Sequence, residues 1–147
     1  MRYEVASITT LTAAGAPFAT IKAGAGSRMK IREIGISLVT GVASDIALAR
    51  SATATTTPTI ILGQAIDPAD PAGIGGIAVA WTTIGTANLI SIRRMQFPAT
   101  VAAGVIWTWS DDNPLTVPSP AATGELMFVN RGAGVCATFD IYVSWTE

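Results

Sequence analysis

The stretch Val135-Cys-Ala-Thr-Phe-Asp-Ile-Tyr-Val-Ser-Trp-Thr-Glu147, VCATFDIYVSWTE, decides how this chain folds. Val135, Ala137, Phe139, Ile141, Val143 and Trp145 are apolar, and Thr138, Asp140, Ser144 and Thr146 fall between them. Successive side chains on a strand point to opposite faces, so a two-residue alternation writes one apolar face and one polar face. Its length and regularity predict a strand inside a sheet, hydrogen-bonded on both sides, with a second layer packed against its apolar face.

The rest of the chain supplies that sheet and that layer. In RMKIREIGISLV (28–39), Met29 and Ile31 point one way, and Ile34, Ile36 and Leu38 resume the alternation one residue out of phase. A one-residue slip turns every later side chain over unless a bulge absorbs it, so a β-bulge is expected near Arg32–Glu33. ASDIALARSA (43–52) has two readings. Ser44 could cap a short helix favoured by Ala47, Ala49 and Ala52. As a strand, Ile46 and Leu48 point inward and Arg50 ends their row, and this is the preferred reading. Tyr3–Thr10, Pro17–Ala23, IAVAWTT (77–83), RRMQFP (93–98), GVIWTWS (104–110) and GELMFVN (124–130) also read as strands. Between them, IGTAN (84–88), ATVAAG (99–104), SDDNPLTVPSP (110–120) and RGAG (131–134) carry turn chemistry. SATATTT (51–57) reads as a loop or an edge. GQAIDPADPAGIGG (63–76) reads as a long irregular connection, because neither Pro68 nor Pro71 can donate to a ladder. The sum is eight or nine short strands with hardly any helix, a pattern that means a sandwich or a barrel; the expected fold is an antiparallel β-sandwich over residues 1–147 as one domain.

Composition narrows the function. Charged residues are 13% of the 147 and the net charge is −1, with Lys22 and Lys30 as the only lysines. A soluble domain commonly carries about 25% charged residues, so this surface is either covered in part by a partner or simply weakly charged and Thr-rich. No basic field invites nucleic acid, no stretch approaches the apolar length that spans a membrane, and MRYEVASITT lacks the apolar run of a signal peptide. The chain is expected to be made in a cytoplasm.

Catalytic inventory is thin. The chain has no histidine and one cysteine, Cys136, which removes Ser-His and Cys-His nucleophiles, the usual zinc sites and any internal disulfide. Asp111 and Asp112 are adjacent, and neighbours on a strand face apart, so they do not make the facing acid pair of a glycosidase. Asp67 with Asp70, or Asp111 with Asp112, could offer oxygens to calcium, but neither spacing matches a calcium loop, and turn structure explains both. The glycines of AGAGS, GIGG and RGAGV belong to turns, since no Gly-Lys-Ser/Thr follows them. Trp107 and Trp109 share one strand face, which suits either a sugar platform or a core wall, and the core wall is preferred. No enzyme activity, metal or cofactor is therefore expected. Arg93 and Arg94 form the densest basic spot. Met1, Arg2, Tyr3, Glu4 and Val5 lie in a segment, residues 1–10, that is either an edge strand of the chain's own fold or an N-terminal arm adding a strand to a neighbour. These seven residues are the interface candidates.

The order LGQAIDPADPA, an Ala-Trp-Thr strand, RRMQFPATVAAGVIWTW, LTVPSPAATGELMFVN and a final strand ending in Trp-Thr-Glu resembles small proteins of tailed bacteriophages and prophage-like regions, as does the MRYEVAS start. The resemblance covers most of the chain. It implies a jelly-roll virion protein of the capsid decoration or cement kind, without fixing any functional residue. The function expected is that of a structural protein on the outer surface of a capsid, a homotrimer or other symmetric oligomer whose partners are itself and the major capsid protein. The alternatives are a tail or head-tail connector part, and a lectin-like module using the tryptophans or the Asp-rich turns.

Overall fold

The structure, a computed structural model, describes residues 1–10, 12–56, 58–119 and 123–147. Thr57 and Pro120, inside two of the stretches expected as connections, lie outside the described residues. The described residues form twelve strands: β1 (Arg2–Ile8), β2 (Pro17–Lys22), β3 (Met29–Leu38), β4 (Ser44–Thr53), β5 (Thr59–Leu62), β6 (Gln64–Ala65), β7 (Gly76–Ala80), β8 (Thr86–Phe97), β9 (Gly104–Thr108), β10 (Leu115–Val117), β11 (Leu126–Asn130) and β12 (Phe139–Thr146). They make two six-stranded sheets. The first runs β10-β3-β12-β1-β6, with β9 pairing β3 beside β10; the second runs β5-β7-β2-β11-β4-β8. Every pairing is antiparallel.

The terminal strand sits where its alternation predicts. β12 lies between β3 and β1 and pairs with both along its whole length. Phe139, Ile141, Val143 and Trp145 are buried and Asp140 is exposed. The strand begins at Phe139, not at Val135. Val135 is exposed, and Cys136 only bridges Thr12. Phe139 marks where the layers meet: its ring lies 5.3 Å from that of Phe18 on β2 and 5.7 Å from that of Phe97 on β8. One apolar cluster takes residues from both sheets. Each fully buried large side chain in it contributes about 1.5–3 kcal/mol.

The slip in β3 is absorbed as expected. Glu33 pairs with Ser144, and Ile31 with Trp145, so Arg32 is the extra residue. Its carbonyl accepts the Trp109 amide at 2.9 Å. With that bulge, Met29, Ile31, Ile34, Ile36 and Leu38 all face the core despite their mixed parity. β4 is a strand, not a helix, and Ile46 and Leu48 are fully buried.

The strand count exceeds the sequence expectation by the three short pieces β5, β6 and β10, which lie in stretches rich in Gly, Pro and Thr. IGTAN is not wholly a turn either. β8 starts at Thr86, and its long partner β4 carries the pairing through a sequence with strong turn signals. Residues of the expected arm form β1, which pairs with β12 throughout and with β6 at Tyr3 and Glu4. Tyr3 stacks on Trp145 with ring centroids 5.8 Å apart. Trp145 in turn covers Gly63, where an added Cβ would stand 2.1 Å from the indole, so the close approach of loop and ring needs glycine there. Inside the second sheet, Lys22 Nζ meets Glu125 Oε1 at 2.5 Å, and Glu125 Oε2 accepts from the Thr55 hydroxyl at 3.1 Å.

Candidate functional site

Alternation settles the fate of the N-terminal interface candidates. β1 turns Tyr3 and Val5 into the core, so neither offers a surface to a partner. Met1, Arg2 and Glu4 remain outside. Arg2 is tied locally, with Nε donating to Ser144 Oγ at 3.1 Å and Nη2 lying 3.6 Å from Glu4 Oε1. Arg93 and Arg94 are both exposed, but their roles differ. Arg94 makes a two-pronged contact with Asp45, with Nε 2.9 Å from Oδ1 and Nη2 on Oδ2. The Arg94 hydrogen bond, ahead of any other influence, holds the Asp45 carboxyl below its ordinary range. Arg93 makes no ion pair among the described residues; its guanidinium lies 5.7 Å from the centroid of the Trp109 ring.

The tryptophan pair does not form a sugar platform. Trp107 is buried, and Trp109 packs against the core and carries Arg93 on its ring. Stacking a pyranose needs bare ring faces on one open surface. The Asp-rich turns are likewise occupied. Asp67 Oδ1 accepts the Ala69 amide at 2.9 Å, the contact that builds an Asx turn, and Asp111 pairs with the Arg32 guanidinium. Among the described residues no group of three or more His, Cys, Asp or Glu side chains stands close enough to hold a metal ion. Cys136 is buried, and burial pushes its thiol above the ordinary value. Thiolate, the reactive form, is correspondingly scarce there.

Two surface features stand out, and sequence reasoning missed both. The first lies on the edge of the second sheet. Ser91 pairs with Ala49 and Ala87 with Ser51, so Asn88, Leu89 and Ile90 face the single residue Arg50. The surplus backbone has to leave the sheet. Leu89 is 90% exposed and Ile90 84%. The base of this knob is held: Arg131 Nη2 donates to the Asn88 carbonyl at 2.6 Å, and Arg50 Nη1 donates to the Gly124 carbonyl at 3.1 Å. The apolar, β-branched run NLISI beside Arg93-Arg94 could have signalled a strand. Nothing in it announces that Leu89 and Ile90 project outward, because the bulge depends on the register against β4.

The second feature is a shallow depression of about 490 Å³ on the outer face of the first sheet. Small residues make its floor. Gly35 pairs with Ile106 on one side and Tyr142 on the other, Tyr142 pairs with Ala6, and Ser37 pairs with Gly104 and Asp140. The Tyr142 ring lies across Gly35, so that a Cβ there would meet the ring at 1.9 Å. The Tyr142 hydroxyl donates to Glu33 Oε1 at 2.5 Å, and that hydrogen bond pushes its pKa up to about 12. Ile106 stands 61% exposed at the rim. Glu4, Glu33 and Asp140 share this face, as their pairing positions beside Ala6, Gly35 and Tyr142 require. Asp140 makes no ion pair within the described residues. The depression is open and mostly apolar, with one carboxylate and one phenol, and this pair of groups provides no nucleophile and base in hydrogen-bond reach.

No protein-family model, curated protein or solved structure matches this chain. Among the described residues no helix is long and apolar enough to cross a membrane.

Proposed function

We propose that this chain is a structural virion protein, a jelly-roll β-sandwich that binds the outside of a tailed-bacteriophage capsid as a symmetric oligomer and stabilises it by burying surface against coat subunits. The observation that carries the reading is the amount of large apolar surface left outside two well-filled sheets. Leu89, Ile90, Ile106, Val101 and Ile8 are all more than half exposed in a chain with only 13% charged residues. Of these, Leu89 and Ile90 are adjacent on β8, and an exposed apolar patch on a soluble protein marks an interaction site. The resemblance of LGQAIDPADPA and PATVAAGVIWTW to phage proteins points to a virion as the setting. A cement protein works without chemistry: neighbouring coat subunits separate less readily when one more body bridges them, and a specific interface of ordinary size buries about 1,600 Å² in total.

The test adds purified protein to shells assembled without it. Extra density on the shell lattice in negative-stain images, with no binding to free coat subunits, is the expected result. Bare shells at saturating protein would refute the reading.

A further inference from the structure

The knob at Leu89–Ile90 and the depression on the first sheet are complementary in shape and in charge. We propose that they bind one another between copies of this chain, head to tail, so that the β8 knob of one copy seats in the β3-β12-β9 depression of the next. This deepens the oligomer part of the reading above and does not depend on the capsid.

Three observations carry it. The knob presents two adjacent apolar side chains, 90% and 84% exposed, on a backbone pinned at Asn88 by Arg131. A rigid apolar projection loses little freedom on binding, and truncating such central anchors removes most of an interface's affinity. The depression is lined by the small residues Ala6, Ser37 and Gly104 beside the Tyr142 ring, which covers Gly35. The two branched side chains of the knob would seat on these small residues beside that ring. The charges also match. Arg50 faces the knob and Arg131 holds its base at Asn88; Arg93, three residues past Ile90 on β8, makes no ion pair among the described residues. Asp140 lines the depression and makes no ion pair among the described residues, while Glu4, paired with Arg2, and Glu33, bonded by Tyr142, lie beyond it on the same face. Rim charges of opposite sign steer encounter and set the register of the contact.

Geometry fixes the kind of assembly. One feature is on an edge of the second sheet and the other on the outer face of the first, so the proposed contact joins two different patches, head to tail. The contact is heterologous, and heterologous contacts close into a ring when the rotation allows and otherwise run on as a fibre. The low surface charge noted in the sequence is then explained at two of the places it matters.

The experiment measures mass by light scattering behind size exclusion and by native mass spectrometry. Wild type is expected as a closed oligomer. Leu89→Asp removes the knob and Ile106→Arg closes the depression with a like charge; both sites are exposed, so far-UV circular dichroism stays unchanged and each variant runs as a monomer. Mixed one to one, they form a heterodimer and stop there, because each retains one working surface. A monomeric wild type at every concentration, variants that assemble like wild type, or variants that fail to pair when mixed would each overturn the proposal. If either variant misfolds, the charge swap decides it: Arg93→Asp or Asp140→Arg alone shifts the oligomer toward monomer, and the double variant restores it, whereas a double variant as weak as the singles would sink the contact.

Discussion

Deleting Arg32 tests the reading of β3 from the sequence upward. Arg32 is the one extra residue in the pairing of β3 with β12. Without it, a single alternation runs through the strand, and only one half can keep its apolar face inward. The longer half, with Ile34, Ile36 and Leu38, holds its place against β9 and β12; Met29 and Ile31 then turn outward and Lys30 turns in. Met29 and Ile31 are fully buried in the native fold. Exposing two such side chains costs about 3–6 kcal/mol at about 1.5–3 kcal/mol each. Bringing the Lys30 ammonium toward the core adds to this. A domain of this kind has about 5–15 kcal/mol of stability in all, so the deletion consumes a large part of it. The control is Arg32→Ala, which keeps the backbone bulge and loses the contact with Asp111, whose side chain is 86% exposed, and the long hydrogen bond from Nη2 to Thr146 Oγ1 at 3.4 Å. That loss is expected to cost about 1 kcal/mol or less. Urea unfolding followed by tryptophan fluorescence reads both variants, because Trp145 is fully buried beside the altered strand. A deletion that costs no more than Arg32→Ala would refute the argument that the bulge keeps both halves of β3 in the core.

Removing one member of the buried pair Lys22–Glu125 should hurt more than removing its charge from both sides. Lys22→Met strands the Glu125 carboxylate and is expected to cost about 3–5 kcal/mol, while adding Glu125→Gln recovers most of it, since the amide oxygen still serves Thr55; thermal melts of the two variants give the comparison. Tyr142 should be detectable as a late-titrating phenol. Its folded pKa of about 12 lies above the ordinary 10.0, so the contribution of its hydrogen bond to stability is complete below about pH 10 and disappears as pH rises through 12. Burial raises Tyr3 as well, so tyrosinate absorbance should show both phenols titrating late, and Glu33→Gln should bring the Tyr142 step alone back toward 10.0; an unchanged titration in the variant would contradict the assignment.

The parts of the fold that were legible in the sequence are those where side-chain pattern alone determines the outcome. β12 alternates cleanly, and it became a central strand. The phase slip between Ile31 and Ile34 became a bulge at Arg32. β4 kept Ile46 and Leu48 in one row despite its helix-favouring alanines. The pattern failed where pairing partners, which lie far away in sequence, decide. β5, β6 and β10 are too short to carry a period of their own and exist because β7, β1 and β3 offer edges to them. Thr86 and Ala87 sit in a strand although Gly85 and Asn88 beside them read as turn, because β4 is long enough to pair with them. Of the interface candidates, Tyr3 and Val5 were lost for a reason the sequence did contain: once β1 is a strand of the same sheet, its odd positions share the inward face with Trp145 and Val143. Leu89 and Ile90 could not be found this way. A projecting bulge and an empty depression are properties of register across several strands, and neither leaves a motif.

The role proposed for this chain is to stick to a particle in many copies. Its most direct test is the copy number of the chain in purified virions produced by the genome that encodes it, measured by quantitative mass spectrometry against the major capsid protein. A decoration protein should be present in hundreds of copies per particle and in fixed ratio to coat subunits. Its absence from the particle, or a number in the tens that follows tail components, would contradict the account.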